Sequence, residues 1–181
     1  MKKRIFATLI AFTLLFSAIL VGCNGTEEGA QSEQTSESEV VSLKAVFEST
    51  LKNKLTIDEN GELMPPVEFT LECKDGENIY VAAVNSLIDL PEGQDQYYTM
   101  MQDRYVCNNV TVEDGLAYVD FSSEGLDGGA TTEMVLIDQI VYTLANSFEE
   151  IAAVQFTVDG QKTETLMGHI DTSEAFVADY L

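Results

Sequence analysis

The single histidine, His169, three cysteines and 31 acidic side chains carry most of the chemistry that this 181-residue sequence could perform. Nucleophilic catalysis would need His169 beside Ser122, Ser123, Cys73 or Cys107, with an acid orienting the imidazole. His169 instead follows Gly168 in a turn-like stretch, and no Gly-x-Ser-x-Gly elbow occurs, so it reads as a loop residue. Glycoside hydrolysis needs two carboxyls about 5–9.5 Å apart in a cleft that holds a sugar ring. Acidic residues are so numerous that chance pairs are certain and identify nothing. Tryptophan is absent; Tyr97, Tyr98 and Tyr105 would have to stack on a sugar, or else they pack on a sheet. For calcium, the best local cluster is Asp120, Glu124 and Asp127 around a glycine-rich loop. The EF-hand run is missing there, and a solvated acidic loop is the simpler reading. Cys73 and Cys107 lie in strand-like runs. Outside the cytoplasm they either form a disulfide, if their Cα atoms approach to about 4.4–6.8 Å, or remain buried thiols. No Cys-x-x-Cys pair, Gly-x-Gly-x-x-Gly or phosphate-loop run occurs, so no cofactor is expected.

Charge narrows the partners. Lys+Arg number 9 against 31 Asp+Glu, a net charge of −22. Such a surface repels phosphate backbones and excludes nucleic acid. The length suits one domain with an appendage.

The appendage is N-terminal. Lys2, Lys3 and Arg4 precede an uncharged run over residues 5–21. That run is shorter than the ~20 apolar residues of a spanning helix and matches a signal peptide, assigned to residues 1–22. It ends in Leu20-Val21-Gly22-Cys23, which resembles the bacterial lipobox. The resemblance implies peptidase recognition of Leu20, Val21 and Gly22 and cleavage before Cys23. It also implies a diacylglyceryl thioether on Cys23 and, in some organisms, acylation of the new amino group, as with palmitate. The alternative is an uncleaved membrane anchor. Loss of the three basic residues would take the net charge to −25. Residues 23–39 form an acidic tether with Glu27, Glu28, Glu33, Glu37 and Glu39 and no large apolar residue, too polar to fold. A coil of that length averages about 20–25 Å end to end. Its charge holds the domain off anionic headgroups, on the extracytoplasmic face of the membrane.

Residues 40–181 switch between period two and helical spacing, which predicts an α+β domain. Strands are expected over 41–47, 67–73, 110–113, 116–121 and 154–158, with an edge strand over 163–167. A further turn is expected at Asn60-Gly61, and residues 94–102 read as a loop or helical turn. Tyr80, Ala83, Val84, Leu87 and Ile88 share one helical face that Pro91 terminates. Asp114-Gly115 predicts a tight hairpin that sets Val112 opposite Ala117 and Val110 opposite Val119. A glycine-rich loop over 122–130 leads to a second helix, capped by Thr131 or Thr132, with Glu133 in its first turn. Its stripe is Met134, Ile137, Val141 and Leu144, widened by Leu136 and Ile140, and Asn146 stops it. The expected order is β-β-α-β-β-α-β with a possible final strand, a mixed sheet with two helices packed on one face.

From Val110 onward the chain resembles the GerMN domain of bacterial sporulation and spore-germination proteins, with the specific match over about residues 110–171. The residues that carry it are Asp114, Gly115, Val119 and Asp120 in the hairpin and Gln139, Tyr142, Thr143 and Leu144 in the second helix. Asp159-Gly160 and Gly168 complete it. The chain shows one copy of the pattern. GerMN domains resemble the small α/β ring-building modules of secretion assemblies, and no catalytic set belongs to the family. The resemblance implies a non-enzymatic binding or assembly module in the cell envelope, linked to sporulation or germination. Its partner would be an envelope protein or peptidoglycan, in hetero-association rather than a ring of like-charged copies. The alternatives are a cell-wall hydrolase, a small-ligand receptor and an inhibitor-like domain for a secreted enzyme.

Overall fold

The structure, a computed structural model, describes residues 38–49, 54–55 and 66–177. Its first strand, β1 (Glu39–Ala45), buries Leu43 and Ala45 and starts earlier than the pattern predicts. The reason is its partner: the antiparallel ladder sets Glu39 opposite Cys73 and Ala45 opposite Val67. After Ala45 the chain leaves that ladder with Val46 and Phe47 buried. Then come β2 (Glu48–Ser49) and β3 (Lys54–Leu55), which pair with each other. The expected Asn60-Gly61 turn lies outside the described residues, as do the lipobox and nearly all of the tether.

The next strand, β4 (Val67–Cys73), falls where the alternation predicts. Helix α1 (Ile79–Asn85) continues as a 3-10 turn over Ser86–Ile88. Its cap, absent from the sequence reading, is Asn78. The side-chain oxygen accepts from Tyr80 N at 3.0 Å and Val81 N at 3.2 Å. The side-chain amide donates to the carbonyl of Val110 at 2.8 Å, so one residue both starts the helix and ties it to the neighbouring sheet. Residues 94–102 are not wholly loop: β5 (Tyr97–Tyr98) pairs with β2.

The hairpin is as expected. Strands β6 (Cys107–Glu113) and β7 (Leu116–Phe121) set Val112 opposite Ala117 and Val110 opposite Val119. Asp114 (φ 50°) and Gly115 (φ 85°) both adopt the left-handed backbone that this two-residue turn requires. Helix α2 (Ala130–Ser147) then crosses to β8 (Ala153–Val158), which runs parallel to β7. Strands β9 (Gln161–Lys162) and β10 (Phe176–Val177) both pair antiparallel with β8. The main sheet thus reads β10-β8-β7-β6 with β9 also on β8, beside a β1-β4 ribbon and a small β3-β2-β5 sheet. The architecture is α+β. Helix α2 lies against β1, β8 and α1, and α1 against β6, around one core that includes Phe47, Leu87, Phe121, Leu136, Ile140 and Phe156.

Several local expectations are corrected. Helix α2 begins after Gly129 without a side-chain cap, so neither Thr131 nor Thr132 caps it. It runs past Asn146 to Ser147; the Asn146 amide bonds back to Tyr142 O at 3.0 Å inside the helix. Met134 is not in the core but 47% exposed, while Val135 is buried. The helix is covered on more than one side, so Val135 and Leu136 turn inward and the apparent stripe is displaced. No strand forms over 163–167, because Leu166 N and Met167 N bond to the Glu133 side chain of α2 and not to a ladder. The strand at 153–158 has β7 along one side, and on the other β10 pairs with Ala153 and Val154 and β9 with Thr157 and Val158. Among the described residues, no helix is long and apolar enough to cross a membrane.

Candidate functional site

The residues that carry the family resemblance are occupied in holding loops. Asp120 leaves β7 with Oδ1 accepting from Thr157 Oγ1 and Gly160 N, each at 2.7 Å, and Oδ2 accepting from Asn108 at 2.9 Å. Partial burial alone would raise its pKa. The bonds from Thr157, Asn108 and Gly160 outweigh burial and hold the carboxyl below its ordinary 3.8. A depressed folded-state pKa stabilises above the unfolded value and is lost as pH falls through the folded one. Asp120→Ala should therefore cost about 1–2 kcal/mol at neutral pH. Urea denaturation at pH 7 and near pH 3 checks this: the gap between variant and parent should narrow in acid.

The proposed calcium cluster does not assemble. Asp120 faces Thr157 and Gly160, whereas Asp127 pairs with Arg104 and Glu124 is exposed. Arg104 also donates to the carbonyls of Gly125 at 3.2 Å and Asp127 at 2.9 Å, and lies 4.8 Å from the Tyr105 ring centroid. A side chain at Gly125 would meet Arg104 O at 2.7 Å, which explains the glycine there. Among the described residues no three His, Cys, Asp or Glu side chains gather as a metal group.

His169 is exposed, and its ring Nε2 lies 3.2 Å from Gly128 O; none of its hydrogen bonds is to a serine or cysteine. The Cys73 thiol contacts Glu77 and the Cys107 thiol contacts Asn109 O, and the two are free buried thiols. Burial, with the charge of Asp120 added, pushes the Cys107 thiol up to about 12, far from a reactive thiolate. Tyr97 packs edge-on against Phe47, and Tyr105 is buried with its hydroxyl on Asp127 O at 2.8 Å. Two of the three tyrosines considered for sugar stacking are therefore inside the protein.

Two buried side chains of α2 were not legible as clamps. The Glu133 carboxylate accepts backbone N–H groups from Leu166 and Met167 on Oε1 and from His169 on Oε2, all at 2.8 Å. Gln139 Oε1 accepts from Met100 N at 3.1 Å and Thr99 Oγ1 at 3.4 Å, while its backbone carbonyl receives the Thr143 hydroxyl at 2.6 Å. Its buried Nε2 has no partner among the described residues. Of the other residues in the family pattern, Val119 and Leu144 are core and Tyr142 is half-buried. Gly168 sits at φ 96° in the loop that Glu133 holds.

That loop continues into the far wall of a groove. Met134, Ile137, Asp138 and Val141 of α2 face residues 170–177 across a groove of about 520 Å³. Met134 and Val177 are among the few large apolar residues left exposed. Burial pushes the Asp138 carboxyl up to about 6. The spacing of Met134, Asp138 and Val141 on one helical face is the sequence signal for this groove, and it coincides with that of a core stripe.

The profile of a family described as Germane, sporulation and spore germination, matches residues 52–164. The chain belongs to that family. Its fold is similar to the first GerMN domain of the sporulation protein GerM from Bacillus subtilis, with 20% identity and TM-score 0.53 over 75% of this chain and 98% of that one. The tandem GerMN domains of the same protein match at 18% identity and TM-score 0.52, over 75% of this chain and 46% of that one. A Clostridium perfringens protein provisionally described as a lipoprotein matches at 20% identity and TM-score 0.50, over 77% of this chain and 89% of that one. No curated protein matches the chain significantly by sequence.

Proposed function

We propose that this protein is a lipid-anchored, extracytoplasmic lipoprotein whose GerMN-like domain is a non-enzymatic binding or assembly module of the cell envelope, serving sporulation or germination. The observation that carries this reading is the use made of the family pattern. Asp120, Gln139, Gly160 and Gly168 hold or shape loops around a common core and converge on no reacting group. A domain spent on presenting shaped loops serves recognition. The lipobox, the acidic tether and the similarity to a protein described as a lipoprotein support the placement.

The test is capture of partners from solubilised envelopes by the mature chain, with muropeptide hydrolysis measured in parallel. A defined envelope protein or peptidoglycan fragment should be retained without turnover; hydrolysis with no retained partner would overturn the reading. Charge adds a second expectation. Mature copies, at the net charge of −25 left once Lys2, Lys3 and Arg4 are removed, repel one another, so the protein should sediment as a monomer at low salt without divalent cations. Binding to a basic partner should weaken as salt rises, since exposed charges are screened within about 8–10 Å at physiological ionic strength. A stable ring at low salt without divalent cations would restore the homo-oligomer.

A further inference from the structure

We propose that the groove between α2 and residues 170–177 docks an apolar segment of a partner protein whose lysine or arginine side chain pairs with Asp138. The inference rests on the binding-module reading and names the surface and partner chemistry. The floor and rim are apolar, formed chiefly by Met134, Ile137, Val141, Ile170, Phe176 and Val177. Every titratable group that lines the groove is acidic: Asp138 on α2, and Asp171 and Glu174 on the segment opposite.

These carboxylates are not equivalent. Oδ1 of Asp171 accepts from Ser173 N at 2.9 Å and Ser173 Oγ at 2.5 Å, bonds that keep its pKa low. Among the described residues Asp138 has no hydrogen-bond or ion-pair partner, although it is substantially desolvated. A carboxylate held among apolar groups without a donor is costly, and a cation delivered with apolar flanks relieves that cost. Charge also selects the source. A second mature copy would bring −25, and the tether brings five glutamates. Residues 178–181 bring Asp179 and no base. None of these supplies both an apolar face and a positive charge; a basic amphipathic segment of another protein does.

The probes are two fluorescent amphipathic helical peptides that share one leucine face and differ only in a central Lys or Gln. They are titrated against the mature chain in phosphatidylcholine nanodiscs, with empty discs subtracted. The Lys peptide should bind about tenfold more tightly than the Gln peptide near neutral pH, the size of preference expected for a desolvated charge pair. Asp138→Asn should abolish the preference and leave the Gln peptide unchanged. Met134→Gln, at an exposed site, should weaken both peptides. The preference should also fall about fivefold from pH 7.5 to pH 5, because a carboxyl titrating near 6 is almost wholly ionised at the first pH and about nine-tenths neutral at the second.

Equal binding of the two peptides would overturn the proposal. So would a preference that survives Asp138→Asn, which would locate it on the general acidic surface. A chain ending at Val177 that binds the Lys peptide tenfold more tightly than the full chain would make residues 178–181 the occupant and equally overturn it. An envelope partner retained undiminished by both variants would sink the groove and leave the module reading intact. Muropeptide hydrolysis without a partner would sink the module reading itself.

Discussion

Replacing Glu133 by alanine is expected to destabilise the protein by about 3 kcal/mol and to release the loop over residues 163–172. The carboxylate is fully buried, yet both oxygens are saturated by the N–H groups of Leu166, Met167 and His169. Bonds to a charged acceptor contribute about 1.5–3 kcal/mol each, and a buried donor left without a partner costs about 1–3 kcal/mol. Leu166 is buried, whereas Met167 is half-buried and His169 exposed, so water can replace part of what is lost. The position in the first turn of α2 adds a favourable helix dipole, which helps this charge to remain buried without a cation. Glu133→Gln keeps the volume but supplies one acceptor oxygen and turns an amide N–H toward a donor. It should cost less than alanine, about 2 kcal/mol, and not be neutral. Against a typical total of about 5–15 kcal/mol, either loss is readily seen in a urea midpoint. Hydrogen exchange adds the local readout: the amides of residues 166, 167 and 169 should lose protection. Because Ile170 and Asp171 line the groove and follow this clamp directly, Glu133→Ala should also weaken the Lys peptide. A destabilisation below about 1 kcal/mol, with those amides still protected, would show that the clamp is dispensable.

The contrast between the hairpin and this loop shows what the sequence makes legible. In β6 and β7, period-two alternation and the Asp114-Gly115 turn lie within a dozen neighbouring residues and agree, so the register could be read in advance. The same holds for β4 and for the apolar face of α1. Residues 97–101 and 163–172 carry no such local period. They are fixed by Gln139, across 39 residues to Met100, and by Glu133, across 33 to Leu166. Gln155 adds a third long bond, its amide reaching Thr172 O at 2.8 Å. A polar side chain on a predicted helix reads as a solvated face until its distant backbone partner is known. That is also why Met134 looked like core. The helix has apolar residues on more than one side, and which set turns inward depends on where β1 and β8 pack. The groove was illegible for the same reason, since its second wall is irregular chain between Ile170 and Val177. Only the N-terminal reading needs no tertiary partner, because its meaning lies in linear order.

That linear order makes Cys23→Ser the variant with the largest expected effect on the protein's place in the cell. Lys2, Lys3 and Arg4, the uncharged run and Leu20-Val21-Gly22-Cys23 occur in the order of a lipoprotein signal. If Cys23 carries the diacylglyceryl group, its thiolate sulfur is indispensable and serine cannot replace it. Each buried CH2 contributes about 0.8 kcal/mol, so the acyl chains account for firm attachment. Among the described residues no helix is long and apolar enough to cross a membrane. The wild-type chain should therefore partition into detergent, incorporate labelled palmitate and begin at a lipid-modified Cys23 by mass spectrometry. The serine variant should incorporate no label. It should persist as an unprocessed precursor or appear in the medium, while the fold from residue 40 onward keeps its urea midpoint. An uncleaved anchor predicts otherwise: both chains would retain residues 1–22 and stay on the membrane equally. A serine variant that is mature in size, membrane-bound and detergent-partitioning would overturn the lipobox reading outright, because nothing in residues 23–39 could then hold so acidic a chain against a bilayer.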